Sequence, residues 1–205
     1  MTGAITYLSK QINDKIMGLN KYIYCDSIET SRLISRKVTE ADIEIWKTFF
    51  EDKTACAFFP TNGIFDPLAR ATDWITKQLD RYQSGRFGLH AIIDNNSGAF
   101  LGQCGLLLQD INQQKEVEVG YSFFPRYWGK GYATEAARAF RDFAFENEIT
   151  DDITSIIHID NVKSQQVALR NGLTRGEQVF WLGMDVYIYR MNRHLWQQQK
   201  INSGI

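Results

Sequence analysis

Three apolar runs, FGLHAIID (87–94), FLGQCGLLLQ (100–109) and EVEVGYSFF (116–124), follow one another with only NNSG and DINQQK as polar connections. Connections that short cannot carry the chain back to the start of a parallel neighbour, so consecutive runs pair antiparallel. The middle of the chain is therefore a meander. Its third run leads into PRYWGKGY and then into a segment, 133–147, with Ala133, Ala136, Ala137, Phe140 and Ala144 at helical spacing. A meander that feeds a strand–loop–helix unit predicts a mixed α/β domain rather than a sandwich or a bundle.

The flanks agree. Residues 30–39 read as a first strand, and 40–52 carry Ile43, Trp46 and Phe50 at helical spacing. Phe59-Pro60 and Asn62-Gly63 break the pattern. A second helix opens near Pro67, with Leu68, Ala71, Trp74, Ile75, Gln78 and Leu79 on one side, and stops at Ser84-Gly85. Beyond residue 147 come a strand at 152–159, a short helix at 162–172 and two apolar segments at 177–183 and 184–192. WQQQKINSGI, at the end, reads as a frayed tail. At the other end, Ile5, Leu8, Ile12, Ile16 and Leu19 form the stripe of an amphipathic helix. Such a stripe suits either packing on its own domain or an arm for a homodimer or another partner, and the sequence permits both.

A length of 205 residues suits one domain with an appendage. The formal net charge of −1 provides no general field for nucleic acid or an anionic membrane. No apolar run reaches the ~20 residues of a membrane span and no secretory leader pattern opens the chain, so a cytoplasmic location is expected. Cys25, Cys56 and Cys104 are far apart and without metal-ligand spacing, so neither a disulfide framework nor a metal is expected. His90, His158 and His194 stand singly and read as structural.

The loop before the long helix carries the strongest chemical signal. Gly129 and Gly131 let the backbone turn tightly and bring its N–H groups close to a ligand. The start of the helix adds unpaired donors and partial positive charge, and Arg126 and Lys130 add full charges. This suits a pyrophosphate. A mononucleotide P-loop fits poorly, because Phe124 stands where its first glycine belongs; a dinucleotide fingerprint fits poorly, because Thr134 replaces its third. A tight glycine turn without a ligand is the remaining alternative.

RYWGKGYA, with EVEVGYSFFPRYWGKGYATEAARAFRDFAFE around it, ETSRLISR before and DNVKSQQVALRNGL after, resembles the GNAT acetyltransferase superfamily and within it the RimJ/RimL type. The resemblance implies an acetyltransferase domain over residues 29–196, an N-terminal extension at 1–28 and a tail at 197–205. It implies a mostly antiparallel twisted sheet of about six or seven strands with flanking helices, whose fourth and fifth strands splay around acetyl-CoA. Carried onto this chain, the backbone of Tyr121, Ser122 and Phe123 would pair with the pantetheine arm. Arg126, Trp128, Gly129, Lys130, Gly131, Tyr132 and Ala133 would surround the pyrophosphate, and Asn161 and Ser164 would contact the pantetheine side. Asn161 and Ser164 also read as ordinary helix-start residues.

The implied reaction moves an acetyl group to a primary amine, on a protein N-terminus or a small molecule. It needs a neutral amine, donors for the developing oxyanion and a proton for the departing thiolate. An α-amine with a pKa near ~8 is neutral far more often at pH 7 than a lysine near ~10.4. Glu118 is the candidate base; it shares a strand face with Glu116, and both also read as solvated or cation-paired. The oxyanion donor is expected to be a main-chain N–H near Ser122 or Phe123. Many relatives place a tyrosine seven residues after the asparagine as the acid; here that position holds Ala168, which leaves Ser164, water or no group for the role. The acceptor is expected along residues 53–70, at an apolar, mildly acidic mouth of Phe58, Phe59, Phe65 and Asp66. The alternatives are a catalytically silent CoA-binding sensor or interaction module, and a nucleotide-binding protein.

Overall fold

The computed structural model describes residues 25–61 and 63–203. The stripe from Ile5 to Leu19, and Asn62 of the expected break, lie outside them.

Strand β1 (Leu33–Lys37) is followed by a single 3-10 turn at Glu40–Asp42 and by α1 (Ile43–Glu51) and α2 (Pro67–Gln83). Then come β2 (Leu89–Asp94), β3 (Phe100–Ile111), β4 (Gln114–Phe123), α3 (Tyr132–Glu146), β5 (Asp152–His158), α4 (Val162–Arg170), β6 (Thr174–Trp181), β7 (Met184–Asn192) and α5 (Arg193–Ser203). Helix ends follow local chemistry. The Asp66 carboxylate accepts the Ala69 N–H at 2.7 Å ahead of Pro67, and the Asn161 side chain accepts the Ser164 N–H at 3.2 Å.

The seven strands form one sheet in the order β1-β2-β3-β4-β5-β7-β6. Every neighbouring pair is antiparallel except β4 and β5, which run parallel and meet at only Val117↔Ile153 and Glu118↔Thr154. Beyond Glu118 the two strands part, as a splayed fourth and fifth strand require.

Both faces of the sheet are covered, which is why β3 reads as a nearly unbroken apolar run. On one face Leu106, Val119, Ile153 and Tyr189 pack with Ala137, Phe140 and Ala144 of α3. On the other, Trp46, Phe49 and Phe50 of α1 and Ala71 and Ile75 of α2 pack over Ala91, Phe100 and Phe124. Trp46 stacks on Phe49 at 4.4 Å between centroids. His90 is fully buried, beside Ser35 and edge-on to Phe140, and burial pushes its pKa down to about 3. Among the described residues no helix is long and apolar enough to cross a membrane.

Two local expectations differ. Leu68, placed on the inner side of α2, is 41% exposed; along this helix the buried side chains begin at Ala71. The segment read as a frayed tail is helical through Ser203: Trp196 is buried, packs at a tilt against Phe145 with 5.3 Å between centroids and donates its indole N–H to Asp142 at 2.7 Å. One aromatic anchor outweighs a polar composition there.

Candidate active site

The parting of β4 and β5 opens a cleft of about 1680 Å³ that continues past the glycine loop to the first turns of α3 and α4. In an antiparallel ladder successive residues direct their main-chain groups to opposite sides. The Phe124 N–H pairs with the Leu101 carbonyl on β3, so Phe123, Tyr121 and Val119 face the other way, toward the gap. Two of those carbonyls are already taken, Val119 by the Ser155 hydroxyl at 2.9 Å and Phe123 by the Trp128 indole at 2.6 Å. Tyr121 lies between them.

Ser122 therefore departs from expectation: alternation gives its main chain to β3, where it sits opposite Gln103, and a Cβ on Gly102 would lie 2.2 Å from its carbonyl oxygen. That leaves Phe123 and Tyr121 as the strand N–H groups that face the cleft.

Ten of the expected residues line the cleft: Tyr121, Ser122, Phe123, Trp128, Gly129, Gly131, Tyr132, Ala133, Asn161 and Ser164. Gly129 and Gly131 have φ of +74° and +83°, left-handed values that favour glycine. A Cβ on Gly129 would meet nothing within 4 Å, so the backbone there is open to a ligand, and Gly131 caps α3. Arg126 and Lys130 differ. Neither lines the cleft; the Arg126 guanidinium lies over the Phe124 and Tyr127 rings, and the Lys130 ammonium lies 5.7 Å from the Tyr127 ring centroid.

The cations that do line it are Arg32, Lys53, Arg138, Lys163 and Arg170. Sequence reasoning missed them because they come from four separate segments. The i, i+7 spacing of Lys163 and Arg170 was the one local signal, since it places both on one face of α4. Lys163 holds its ammonium 4.3 Å over the Trp128 ring, across the cleft from the glycine loop.

Glu118 lies outside the cleft lining, 8% exposed, on the face of β4 opposite to Tyr121. It accepts from the Gln109 amide at 2.6 Å and from the Ile156 N–H at 3.4 Å. Burial raises its pKa above the usual carboxylate range, and the Gln109, Ile156 and Arg81 interactions only partly offset this. The next residue along its face is Gly120, whose added Cβ would sit 3.4 Å from Leu107 and Leu89 and 3.9 Å from the Glu118 carboxyl carbon. Glu116 is the cation-paired member: Arg190 reaches it at 2.7 and 2.9 Å and Thr154 donates to it. Burial disfavours its ionised form, yet these bonds win and hold its pKa low.

The acceptor mouth is also corrected. Phe58 and Phe59 line the cleft together with Phe49, Lys53 and Thr54, but Phe65 is 80% exposed and Asp66 is spent as the α2 cap. Within residues 53–70 the cleft lining is therefore aromatic with one lysine, and the nearest carboxylate is Asp160, beside His158. Phe58 packs on His158, 4.8 Å between ring centroids. The His158 Nδ1 accepts the Asp160 N–H at 3.1 Å, so in the neutral ring Nε2 carries the hydrogen. Ala168 is the buried residue of α4, and among the described residues no cluster of His, Cys, Asp or Glu could hold a metal ion.

Residues 32–174 match the Acetyltransferase (GNAT) domain family. The chain is 30% identical over 145 residues to the uncharacterized protein YkkB of Bacillus subtilis (strain 168), covering 70% of this chain and 83% of that protein. A solved acetyltransferase from Agrobacterium tumefaciens str. C58 is 26% identical with a TM-score of 0.66, over 83% of this chain and 96% of that one. RimL, described as a ribosomal L7/L12 alpha-N-protein acetyltransferase in complex with coenzyme A, shares the fold at a TM-score of 0.66 and 17% identity, over 81% of this chain and 97% of that one.

Proposed function

The chain belongs to the GNAT acetyltransferase family, and from that premise we propose that it transfers acetyl from acetyl-CoA directly to a primary amine. One observation carries this reading: the strand edge at Tyr121, the open glycine backbone at Gly129 and the start of α3 lie along one continuous cleft. That sequence of features suits a long ligand with a diphosphate at one end and a peptide-like arm at the other. RimL, with this fold, is described in complex with coenzyme A, which supports the same ligand here.

When bound, acetyl-CoA supplies the activated acyl group. The protein's share of the work follows from its own residues. First-turn amides of α3 and the loop at Gly129–Gly131 hold the diphosphate, with Arg32 and Lys163 adding charge at the rim. The main chain of Tyr121 and the Phe123 N–H align the arm with the strand edge. An N–H aimed into the gap from Phe123 or Tyr121 offers the oxyanion its donor. Glu118, reached over Gly120, takes the amine proton directly or through water; its raised pKa makes it a stronger base than an exposed carboxylate. The acceptor enters past Phe58 and Phe59. An aromatic mouth that holds Lys53, with Asp160 as the exposed carboxylate beside His158, suits a peptide α-amine carrying a single positive charge better than a polycationic amine.

Calorimetry with acetyl-CoA, followed by thiol release across short peptides, polyamines and aminoglycosides, tests this. Coenzyme binding with turnover on a peptide amine is the expected result. Binding without turnover on any amine would favour a silent coenzyme-binding module instead.

A further inference from the structure

The departing sulfur needs a partner, and the residues around the split offer two hydroxyls on the α3/α4 side of the sheet. These are Tyr121 and Ser164. Of the other hydroxyls along the cleft, Thr30 and Ser31 donate to Glu135, Tyr132 points to Asp94, Ser122 shares the face of Glu118, Tyr127 and Thr134 flank the glycine loop, and Thr54 stands with Phe58 at the mouth. Tyr121 reaches from β4 across the gap, and its hydroxyl donates to the main-chain carbonyl of Ser164 in the first turn of α4 at 2.9 Å. It thereby spans the gap that the coenzyme's thiol end is proposed to enter.

Glu118 and Tyr121 stand three residues apart on an alternating strand and so point to opposite faces. With the amine on the Glu118 side of the acetyl carbon, the C–S bond that carries the coenzyme arm lies toward the Tyr121 side, where the phenol stands. A hydroxyl hydrogen rotates about its C–O bond, so donation can pass from the Ser164 carbonyl to sulfur without moving the ring.

We propose that the Tyr121 hydroxyl, rather than Ser164, is the proton donor to the leaving CoA sulfur; this rests on the acetyl-transfer reading above. The amine nitrogen bonds to the acetyl carbon while the carbonyl electron pair moves onto oxygen; as that pair returns, the C–S bond breaks with its electron pair on sulfur. The phenol proton passes to sulfur and yields the free thiol. The phenolate regains a proton from solvent, and the amine's surplus proton leaves through Glu118 or water. Burial raises the Tyr121 pKa, so the phenol yields its proton only to a strongly basic acceptor, and the same scarcity of water makes the nascent thiolate more basic.

The test pairs kinetics with an equilibrium readout. Y121F and the wild type are compared for thiol release from acetyl-CoA with the peptide panel, and for the pKa of the bound CoA thiol, followed by thiolate ultraviolet absorbance. Desulfo-CoA affinity, which has no sulfur to sense, serves as the control. The expected result is a fall in turnover of about 100-fold, a raised bound-thiol pKa and unchanged desulfo-CoA affinity. Should Y121F fail to fold, a 3-fluorotyrosine at 121 replaces it, and turnover is expected to change with the acidity of the phenol. Equal turnover in Y121F and the wild type, an unaltered bound-thiol pKa, or a rate indifferent to fluorination overturns the inference while acetyl transfer stands. A wild type that releases no thiol with any amine overturns both.

Discussion

Arg32 and Glu135, 103 residues apart, are joined through the Arg32 Nε and a Glu135 carboxylate oxygen at 2.6 Å, and the same guanidinium donates to the Lys130 carbonyl at 3.0 Å. The approach to β1 is thereby tied to the first turn of α3 and to the glycine loop. Burial opposes the charge on Glu135, but donors from Thr30 and Arg32 outweigh it and lower its pKa. A lowered folded-state pKa gives stability that is fully present above the ordinary carboxylate range and is lost as pH falls through the lowered value. Glu135→Gln should cost about 1–2 kcal/mol at pH 7 and flatten the acid side of the stability profile, measured by thermal unfolding at several pH values. Coenzyme affinity should fall with it, because Arg32 loses its anchor.

Gly131→Val should separate loop geometry from fold. The residue holds φ +83°, which a β-branched side chain tolerates poorly, and an added Cβ would sit 3.4 Å from the Arg32 guanidinium. Loss of coenzyme binding by calorimetry, with a destabilisation of about 1–2 kcal/mol, is the expected outcome. Undiminished affinity would count against the glycine loop as the diphosphate site.

Glu118→Gln keeps the shape that Gln109 and Ile156 surround, so coenzyme affinity should hold while turnover drops by about 100-fold or more. The wild-type rate should fall on acidification at a pH above the ordinary carboxylate range, because burial raises the Glu118 pKa and only the ionised form accepts a proton. A pH–rate profile of the variant should lack that limb.

Trp196→Ala should unfold the protein more easily by about 3 kcal/mol, through the lost contact with Phe145 and the lost indole hydrogen bond to Asp142, which keeps its Arg141 partner. Chemical denaturation measures it. An unchanged midpoint would mean that α5 contributes nothing to the core.

Much of the fold was legible because its signals are local. The short connections NNSG and DINQQK set the β2–β3–β4 meander, and the alanine stripe set α3. The cleft was legible through its glycines, whose positive φ is a property of single residues. Its charges were not. Arg126 and Lys130 stood beside the glycines in sequence, yet they turn onto aromatic rings, while Arg32, Arg138, Lys163 and Arg170 converge from distant segments. Glu116 and Glu118 looked equivalent until β7 packed beside β5. That brought Arg190 to Glu116 and left Glu118 under Gln109.

The sequence by itself determined the order of elements, the antiparallel centre and the glycine turn ahead of α3, since periodicity and backbone freedom are written in neighbouring residues. Only the tertiary structure decided where β4 and β5 part, which main-chain groups of Tyr121, Ser122 and Phe123 face the gap, and which carboxylate is buried. Those outcomes depend on which strands become neighbours and in what register, β3 with β4, β4 with β5 and β5 with β7. Burial and pairing belong to the assembled sheet and have no counterpart in any one segment.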